Sequence, residues 1–485
     1  MASKMKKDFL YNLAYQILVV ALPLVTTPYI SRVLGSEGVG IFGFTYGVIS
    51  YFVLFGTLGI ALYGRREVAY KQSDVKTRSE IFWQINIIKW ISLAVFLFVY
   101  YLTCIKNGQY GAYYKIFTLE MVAAALDISW YYQGLEKFKP VAIRNMVVKL
   151  ASVALIFLLV NKPEDLWIYI LIFSGSNLIS NLSLWLFVPK TLTKVKIKVS
   201  SFKQHLKPVL MLLLPQIATE VYLILDKIML GLLIQNMSEV GIYEQSQKLE
   251  RFSLSIVTAL TPIMAMRISN LFSKKKDNEI REKLTKSFHF TWFLATPIAF
   301  GIAGIASNFV PWFLGDQFLG AIPVMQIGCI LVFAVSLSST SGLQYLVSAK
   351  KQNAMTLSIV IAAIANFIGN LILIPILGAI GAIITSVMAE CIVTGVQFHY
   401  TKKAVPLKDI FRPTLKCIPC GLLMLAAVML SGLFLPKTVI GTFIQIIIGS
   451  IVYISSMTIA KDKMMLEIWE AIRGTLWKLT HRKAK

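Results

Sequence analysis

Cysteine and histidine are scarce in this chain. Five cysteines and four histidines occur among its 485 residues. The cysteines are odd in number and scattered through apolar segments, so they predict no disulfide framework, and the widely separated histidines predict no metal site. Cys417 and Cys420 have the thioredoxin spacing, but they lie outside any βαβ context, which favours a packing role. We expect neither a metal nor another cofactor.

Acidic residues are also scarce: 24 Asp and Glu stand against 48 Lys and Arg, and the formal net charge is +24. Such an excess is typical of nucleic-acid-binding proteins. Here, however, the basic residues flank apolar segments instead of forming one soluble basic face. Nucleic acid is therefore not an expected partner.

Long polar stretches are missing as well. The largest gaps between apolar segments, about residues 190–205 and 267–286, are too short to bury a core of their own. The gaps on the opposite side are shorter still, which argues against an enzyme with catalytic carboxylates on a large outer loop. The N-terminus resembles a signal peptide, but its apolar run is too long and contains Pro23 and Pro28, so it predicts a first spanning helix.

Apolar residues are abundant: they make up 56% of the chain, and the mean hydropathy is +0.69. Blocks of about 20 apolar residues, each long enough to cross a bilayer as a helix, recur from end to end. Their length and uniform apolarity favour helices over the short alternating strands of a membrane barrel. The predicted fold class is therefore an all-α polytopic membrane protein. The fourteen predicted spans lie at about residues 9–34, 39–64, 81–105, 113–133, 141–160, 166–189, 206–234, 240–266, 287–309, 320–346, 355–376, 378–401, 414–434 and 438–459.

The basic residues alternate with these spans. Of the 48 Lys and Arg, 38 lie at the two termini or in the gaps after even-numbered spans, five lie in the opposite gaps, and five lie inside spans. Because Lys and Arg are enriched in cytoplasmic loops, this bias predicts that both termini are cytoplasmic.

Two parts of the chain begin alike, which indicates an internal repeat. The first and seventh spans contain Leu-Pro, at Leu22 and Leu214, and each leads into a similar string, SEGVGIF and SEVGIY. We predict two six-helix lobes related by a pseudo-twofold axis along the membrane normal, with the transport site between them. The predicted domains are a first lobe at 1–189, a cytoplasmic linker at 190–205, a second lobe at 206–401, two additional helices at 414–459 and an amphipathic basic tail at 460–485.

Several motifs resemble one family of transporters. They are LPLVTTPYISRVLGSEGVGIFGF at residues 22–44, LGIALYGRREVA at 58–69, DISWYYQGLEKFKPVAIRN at 127–145 and DKIMLG at 226–231. Together with the SEVGIY turn they make nearly the whole chain similar to Wzx-type polysaccharide repeat-unit flippases. These flippases form the polysaccharide-transporter branch of the multidrug/oligosaccharidyl-lipid/polysaccharide exporter superfamily.

The resemblance implies a function, a location and partners. The expected substrate is an undecaprenyl-pyrophosphate-linked oligosaccharide, moved by alternating access from the inner to the outer leaflet of a bacterial plasma membrane. The product would serve capsule, exopolysaccharide or O-antigen synthesis, and the protein would be a transporter, not an enzyme. The lipid bilayer is an expected partner, and a polysaccharide polymerase and a chain-length regulator are further candidates.

A pyrophosphate head group calls for Arg and Lys side chains facing an aqueous cavity, which in this family is lined by helices 1, 2, 7 and 8. Ionisable residues at membrane depth are costly and point to function. On the eighth span, residues 244, 248 and 251 are spaced to share one helix face. In the alternative interpretation, Glu244 and Lys248 only pair with each other, and Arg32 reaches the membrane interface. The candidate substrate-binding residues are Arg32, Lys227, Glu244, Gln247, Lys248 and Arg251.

A second group of charges lies in the predicted cytoplasmic halves of the third, fourth and fifth spans. Lys89, Asp127 and Lys149 are expected to form an ion network inside the first lobe. Both a structural clasp and a proton relay fit this pattern. Farther along, residues 466–485 alternate apolar and basic positions at helical spacing, which predicts a helix lying on the anionic inner leaflet.

Three other functions compete with this interpretation. The first is a multidrug/cation antiporter of the same superfamily, although the acidic residue that such exporters commonly carry in helix 1 is absent here after Asp8. A membrane-embedded enzyme of envelope synthesis is the second, and it would need an outer loop with paired carboxylates. A non-transporting scaffold is the third, and it would make the membrane-depth charges dispensable.

Overall fold

The structure is a computed structural model. It describes residues 2–106, 108–136, 138–188, 191–195 and 202–481, and within these ranges it describes no side chain for residues 2–21, 138–140, 214–215, 218–223, 472 and 474–481. Every long regular element in the described ranges is a helix, which confirms the all-α fold class. The chain divides into two compact units, Met1–Gly241 and Ile242–Lys485. The predicted lobe and linker boundaries stay predictions.

The first unit holds the helices up to α8, together with the start of α9. Its core is aromatic: Phe82, Trp130, Tyr131 and Tyr132 are buried together. Helices α4 and α7 pack side by side, and α1 packs against α3, α4, α6 and α8. The helices are α1 (Ala2–Thr57), α2 (Ile60–Tyr70), α3 (Val75–Tyr100), α4 (Gly111–Leu126), α5 (Ser129–Gly134), α6 (Phe138–Leu159), α7 (Leu166–Trp185), α8 (Phe202–Ile234) and α9 (Met237–Thr258).

The second unit contains most of α9 and all later helices. Its largest core forms where α11, α16 and α17 meet, around Phe288, Trp292, Met424 and Tyr453. Helices α13 and α14 pack closely, and α12 packs on α11 and α14. The helices after α9 are α10 (Thr261–Ser273), α11 (Asp277–Phe313), α12 (Ala321–Ser339), α13 (Gln352–Leu377), α14 (Ala379–Thr401), α15 (Leu407–Phe411), α16 (Thr414–Phe434), α17 (Val439–Ile459) and α18 (Lys463–His481).

Eleven helical stretches of the described chain are long and apolar enough to span a membrane. One of them, Leu22–Tyr70, covers the second half of the first predicted span and all of the second, and the two are joined through a kink at Gly35. Helix α4 has only 16 residues, and α8 carries residues without described side chains. The chain is therefore a multi-pass membrane protein, and the count of fourteen spans stays a prediction.

Several predicted spans are interrupted where the sequence predicted continuous helix. The span at 113–133 is broken at Asp127 and Ile128, between α4 and α5, and the span at 240–266 is broken between α9 and α10. The span at 81–105 ends in a π-helical turn, Tyr101–Ile105. Hydropathy alone does not detect such breaks, because residues on both sides of each break are apolar.

The break after α4 exposes carbonyl groups that need partners, because the last turn of a helix has no further N–H groups to bond them. Side chains from neighbouring helices supply these bonds. Lys89 Nζ donates to the Asp127 carbonyl at 2.6 Å, and the indoles of Trp90 and Trp185 donate to carbonyls 125 and 126 at 2.8 Å. Asn181 donates to carbonyl 123 at 2.9 Å. Inside a membrane, a broken helix is tolerated only with such substitutes.

Glycines allow the start of α9 to approach α1. A Cβ atom on Gly40 would lie 1.6 Å from the Met237 carbonyl oxygen, and one on Gly241 would lie 2.0 Å from the Ser36 carbonyl oxygen. Gly35, with φ 69°, makes the sharp turn just before this contact. The repeated SEGVGIF and SEVGIY strings therefore provide the close contact at this turn.

Candidate functional site

Helix α9 carries the candidate residues of the eighth predicted span. Positions 243, 247 and 251 are each four residues apart, as are 244 and 248, so their side chains form neighbouring rows on the helix surface. The first turn contains Glu239, an acidic residue that stabilises a helix N-terminus. The helix therefore places Glu244, Gln247, Lys248 and Arg251 close to one another, as the sequence predicted.

Lys248 is paired along its own helix. Its Nζ lies 3.3 Å from Oε1 of Glu244, and the two side chains are 36% and 9% exposed. The carboxylate is thus buried while the ammonium group reaches the surface of the unit. An ion pair of this kind holds the lysine side chain in place but leaves part of its surface open to a ligand.

A chain of hydrogen bonds runs along the adjacent row. Gln247 Nε2 donates to the Tyr243 hydroxyl at 2.8 Å, and that hydroxyl lies 3.0 Å from Ser386 Oγ on α14. Arg251 donates to Gln247 Oε1 at 3.5 Å, a long bond, and Arg251 is exposed. The buried tyrosine therefore anchors the glutamine, and the glutamine orients an exposed guanidinium group.

The other two candidates, Arg32 and Lys227, belong to the first unit. Arg32 is exposed and lies on α1 just before the Gly35 kink. Lys227 is half-buried on α8. A Cβ atom on Gly47 of α1 would touch Ile224 and Ile228, the residues around Lys227. Within this unit, therefore, the part of α8 around Lys227 packs on the segment of α1 that follows the Gly35 kink, whereas Arg32 lies before that kink.

The predicted ion network forms only in part. Lys89 is 2% exposed and is bonded to the carbonyl of Asp127, not to its carboxylate. The Asp127 carboxylate instead accepts the backbone N–H of Ser129 at 2.8 Å, at the start of α5. Lys149 is exposed and makes no ion pair with Asp127. Lys89 therefore caps the end of α4.

Asp127 and Lys149 do share the wall of a polar cavity of about 440 Å³ within the first unit. Arg144, Asn145 and Ser180 line the same cavity and are bonded to one another: Arg144 Nε and Ser180 Oγ both reach Asn145 Oδ1, at 3.1 and 3.0 Å. The sequence prediction located two residues of this cavity but missed its neutral hydrogen-bonding groups, because isolated Ser and Asn residues in a span give no charge signal.

Glu250 is a buried acid that the sequence analysis missed. It is 2% exposed, and its Oε1 has no hydrogen-bond partner among the described residues. A Cβ atom on Gly328 of α12 would lie 1.8 Å from this oxygen, so the glycine makes the space that Glu250 occupies. The rule that selected Glu244, a charge inside an apolar span, would have selected Glu250 as well.

Among the described residues, no three His, Cys, Asp or Glu side chains are grouped so as to hold a metal ion. In their described parts, both units are helical, with stretches long and apolar enough to span a membrane. Helix α9 adds a polar, partly cationic face to this multi-pass membrane protein.

Comparison with known proteins shows which family the chain belongs to. A model of the polysaccharide biosynthesis protein family matches residues 5–268, more than half of the chain, and the chain belongs to that family. The match confirms the resemblance found in the motifs.

Two named relatives are similar to the chain. It is 24% identical over 389 residues to a protein of Escherichia coli (strain K12) named "Putative O-antigen transporter", which covers 79% of this chain and 92% of that protein. It is 25% identical over 224 residues to a Haloferax volcanii protein named "Probable low-salt glycan biosynthesis flippase Agl15", covering 44% of this chain and 46% of that protein.

Solved structures share the fold. The lipid II flippase MurJ, in an inward closed conformation, superposes with a TM-score of 0.75 at 14% identity, covering 93% of this chain and 98% of that chain. An inward-facing multidrug transporter of the MATE family gives a TM-score of 0.59 at 11% identity, covering 81% and 97%. At such low identity these likenesses concern the fold alone.

Proposed function

We propose that this protein is a flippase that moves undecaprenyl-pyrophosphate-linked oligosaccharide repeat units from the inner to the outer leaflet of a bacterial plasma membrane. The product would serve capsule, exopolysaccharide or O-antigen assembly. The observation that carries the proposal is the polar face of α9, where exposed cationic groups of Lys248 and Arg251 lie on an apolar helix of a polysaccharide biosynthesis family member. The names of the two relatives support the same substrate class.

The chemistry of the face suits a pyrophosphate head group. A guanidinium group binds phosphate oxygens through two parallel N–H donors, and an ammonium group binds them as a point charge. Arg251 is already oriented by Gln247, so fewer side-chain conformations are lost when an anion binds. Arg32 and Lys227 lie in the other unit, and their part in binding stays a prediction, as does transport by alternating access.

The substrate class is tested by export. A bacterial strain lacking its own polysaccharide flippase would receive the wild-type gene, and surface polysaccharide and inner-leaflet lipid-linked repeat units would be measured. The wild type should restore the polysaccharide and clear the accumulated precursor. The same strain would be challenged with cationic drugs, because the rival antiporter function predicts resistance without polysaccharide. Resistance with no export would reject the flippase.

The site is tested in the same strain with Arg251→Ala. Export should fall by at least about tenfold, the effect expected from losing a hydrogen bond to a charged group, while the amount of protein in the membrane is unchanged. The matched control is Arg66→Ala, which removes an exposed arginine that pairs with its sequence neighbour Glu67 at 3.0 Å and lies 5.4 Å from the centre of the Tyr63 ring. Normal export by Arg251→Ala would remove α9 from the binding site, and so favour the scaffold alternative.

The proposed orientation has both termini and the loop at Lys274–Lys276 in the cytoplasm. Lys275 is exposed at the turn between α10 and α11, so a cysteine placed there reports its compartment. In a cysteine-free background, a membrane-impermeant thiol reagent should label Lys275→Cys only after the cells are opened. Labelling from outside intact cells would reverse the topology.

A further inference from the structure

A recess of about 280 Å³ lies within the second unit, and none of the candidate residues of α9 lines it. Its walls come from Val257 at the end of α9, from α10, from the first half of α11, from the π-helical turn Thr340–Val347 after α12 and from the start of α18. Met264, Phe290 and Met464 give it apolar walls. An apolar recess of this size takes up a hydrocarbon chain more readily than a polar solute.

The rim of the recess is cationic. Arg267, Lys283 and Lys286 line it. Lys286 is engaged by Glu467 at 2.5 Å, whereas Lys283 lies 3.8 Å from Glu282, a loose contact between partly exposed groups. Arg267 makes no ion pair with a described residue. Two cations therefore remain for an anion at the rim.

Two buried polar atoms lie inside the recess without hydrogen bonds. Ser287 is 7% exposed and Gln344 is 4% exposed, and neither Ser287 Oγ nor Gln344 Oε1 has a partner among the described residues. By contrast, Thr291 in the same wall is bonded to Thr340 at 3.1 Å. A buried polar atom is destabilising until it is bonded, so the recess offers a ready place for a ligand with a hydroxyl group.

These three features together describe a binding site for an amphiphile. We propose that the recess binds an anionic phospholipid of the bilayer. Its phosphate would lie between Arg267 and Lys283, its glycerol group would lie near Ser287 and Gln344, and an acyl chain would follow Met264. Basic pockets between spanning helices bind lipid head groups in this manner, and the predicted cytoplasmic leaflet is the anionic one. The proposal does not rest on the flippase function, because it concerns a resident lipid.

The outer surface of α10 supports a lipid over a soluble phosphate. Leu260, Ile263 and Met266 are 45%, 57% and 68% exposed, so an apolar surface continues from the recess along this helix. An acyl chain of a bound lipid can lie along such a surface, whereas inorganic phosphate has no apolar group to contact it.

The test is native mass spectrometry of the full chain in neutral detergent, titrated with phosphatidylglycerol and, separately, phosphatidylcholine. The first phosphatidylglycerol should bind at least about tenfold more tightly than phosphatidylcholine. The double variant Arg267→Ala/Lys283→Ala should lose that preference. Equal binding of the two lipids to the wild type would overturn the proposal.

The matched control is Lys274→Ala/Lys275→Ala, which removes the same charge from exposed positions of the adjacent turn, outside the recess. It should change phosphatidylglycerol binding by less than about twofold, because exposed charges contribute little. If this control lost as much phosphatidylglycerol binding as Arg267→Ala/Lys283→Ala, the binding would depend on general surface charge, and the proposed site would be wrong.

Two further experiments test whether the recess holds a lipid, only water or a soluble phosphate. Ser287→Leu fills the recess without changing its charge. It should weaken phosphatidylglycerol binding severalfold while the protein remains monodisperse in gel filtration. Unchanged binding would show that the recess holds only water. Inorganic phosphate at millimolar concentration should not displace the lipid. Displacement that depends on Arg267 and Lys283 would assign the rim to a soluble phosphate and overturn the lipid.

Discussion

Lys89 and Lys248 both lie in predicted membrane spans, yet the structure gives them opposite surroundings. Lys89 is 2% exposed and bonds a carbonyl at the end of another helix, 38 residues away in sequence. Lys248 is 36% exposed and pairs with Glu244 one turn back on its own helix. A charge that completes the hydrogen bonding of a neighbouring helix supports the fold, whereas Lys248, which pairs along its own helix, keeps part of its surface accessible.

The same distinction separates Arg144 from Arg251. Arg144 bonds the carbonyl of Ser180 and the side chain of Asn145, so it joins α6 to α7. Arg251 is exposed, and its hydrogen bond to Gln247 at 3.5 Å lies within α9. Lys89 and Arg144 therefore fasten helices of the first unit together, whereas Lys248 and Arg251 are partly or fully exposed on α9.

The largest effect is expected at Arg251. Arg251→Glu should lower polysaccharide export about a hundredfold, because it removes the cation and places an anion where the pyrophosphate is proposed to bind. Arg251→Lys should retain part of the activity, since an ammonium group binds phosphate without the bidentate geometry. Export and membrane level are measured in the flippase-deficient strain. An active Arg251→Glu variant would make Arg251 a fastening group.

The next effect sharpens the contrast between the two lysines. Lys89→Met should lower the free energy of unfolding by about 1–3 kcal/mol, because it leaves the Asp127 carbonyl buried without a partner. In a Glu244→Gln background, Lys248→Met should change it by less than about 0.5 kcal/mol, because the lysine is partly exposed and no buried carboxylate then loses its charged partner. Thermal unfolding of the detergent-purified variants measures both. Equal destabilisation would erase the distinction.

A third effect concerns the hydrogen-bonded pair of His289 and Asp462, whose carboxyl group lies outside the predicted spans. His289 Nε2 lies 2.9 Å from Asp462 Oδ2, just after α17. Burial of the carboxyl group by itself raises the pKa of Asp462. The hydrogen bond and charge of His289 lower this pKa by more than burial raises it, so the pKa in the folded chain lies below its ordinary value. The pair therefore stabilises the folded chain above about pH 3.9, and this stability is lost as the pH falls through the lower folded pKa.

Asp462→Asn should accordingly unfold more easily than the wild type by about 1–2 kcal/mol at pH 7. The gap between the two thermal midpoints should close as the pH falls below about 4, because the carboxylate is then protonated. A gap that persists undiminished at about pH 2 would mean that the carboxylate does not stabilise the folded chain.

The smallest effect tests the alternative interpretation of the α9 charges. In Glu244→Gln/Lys248→Gln the ion pair is replaced by two neutral amides of similar size, and the free energy of unfolding should fall by only about 0.3–0.5 kcal/mol. If Lys248 contributes to binding, export should still fall severalfold. Wild-type export with unchanged stability would leave the pair as a local fastening.

The sequence was sufficient for features that depend on composition and local periodicity. Apolar blocks and the distribution of Lys and Arg predicted a multi-pass helical protein, and the four-residue spacing of 244 and 248 predicted a pair on one face. The turn at Gly35 was also visible, between the first two predicted spans. Each of these properties depends on residues within a few turns of one another, so no distant contact was needed.

Other features required the tertiary structure. The carbonyls at the end of α4 are bonded by side chains from two other helices: Lys89, Trp90, Trp185 and Asn181. In the sequence, Lys89 and Asp127 looked like an ion pair. That Lys89 instead bonds a carbonyl could be recognised only once the structure showed that α4 ends there.

Burial was likewise decided by packing. Glu250 is enclosed because Gly328 lies opposite it, and the polar atoms of Ser287 and Gln344 are left without partners because α10, α11 and the turn after α12 meet around a recess. Sequence determined which segments are apolar enough to span a membrane and on which helix face their charged residues stand. Only the packing of distant helices decided which of them are satisfied, which are buried and which remain exposed to a ligand, because hydrogen bonding and desolvation depend on neighbours that the chain brings together from far apart.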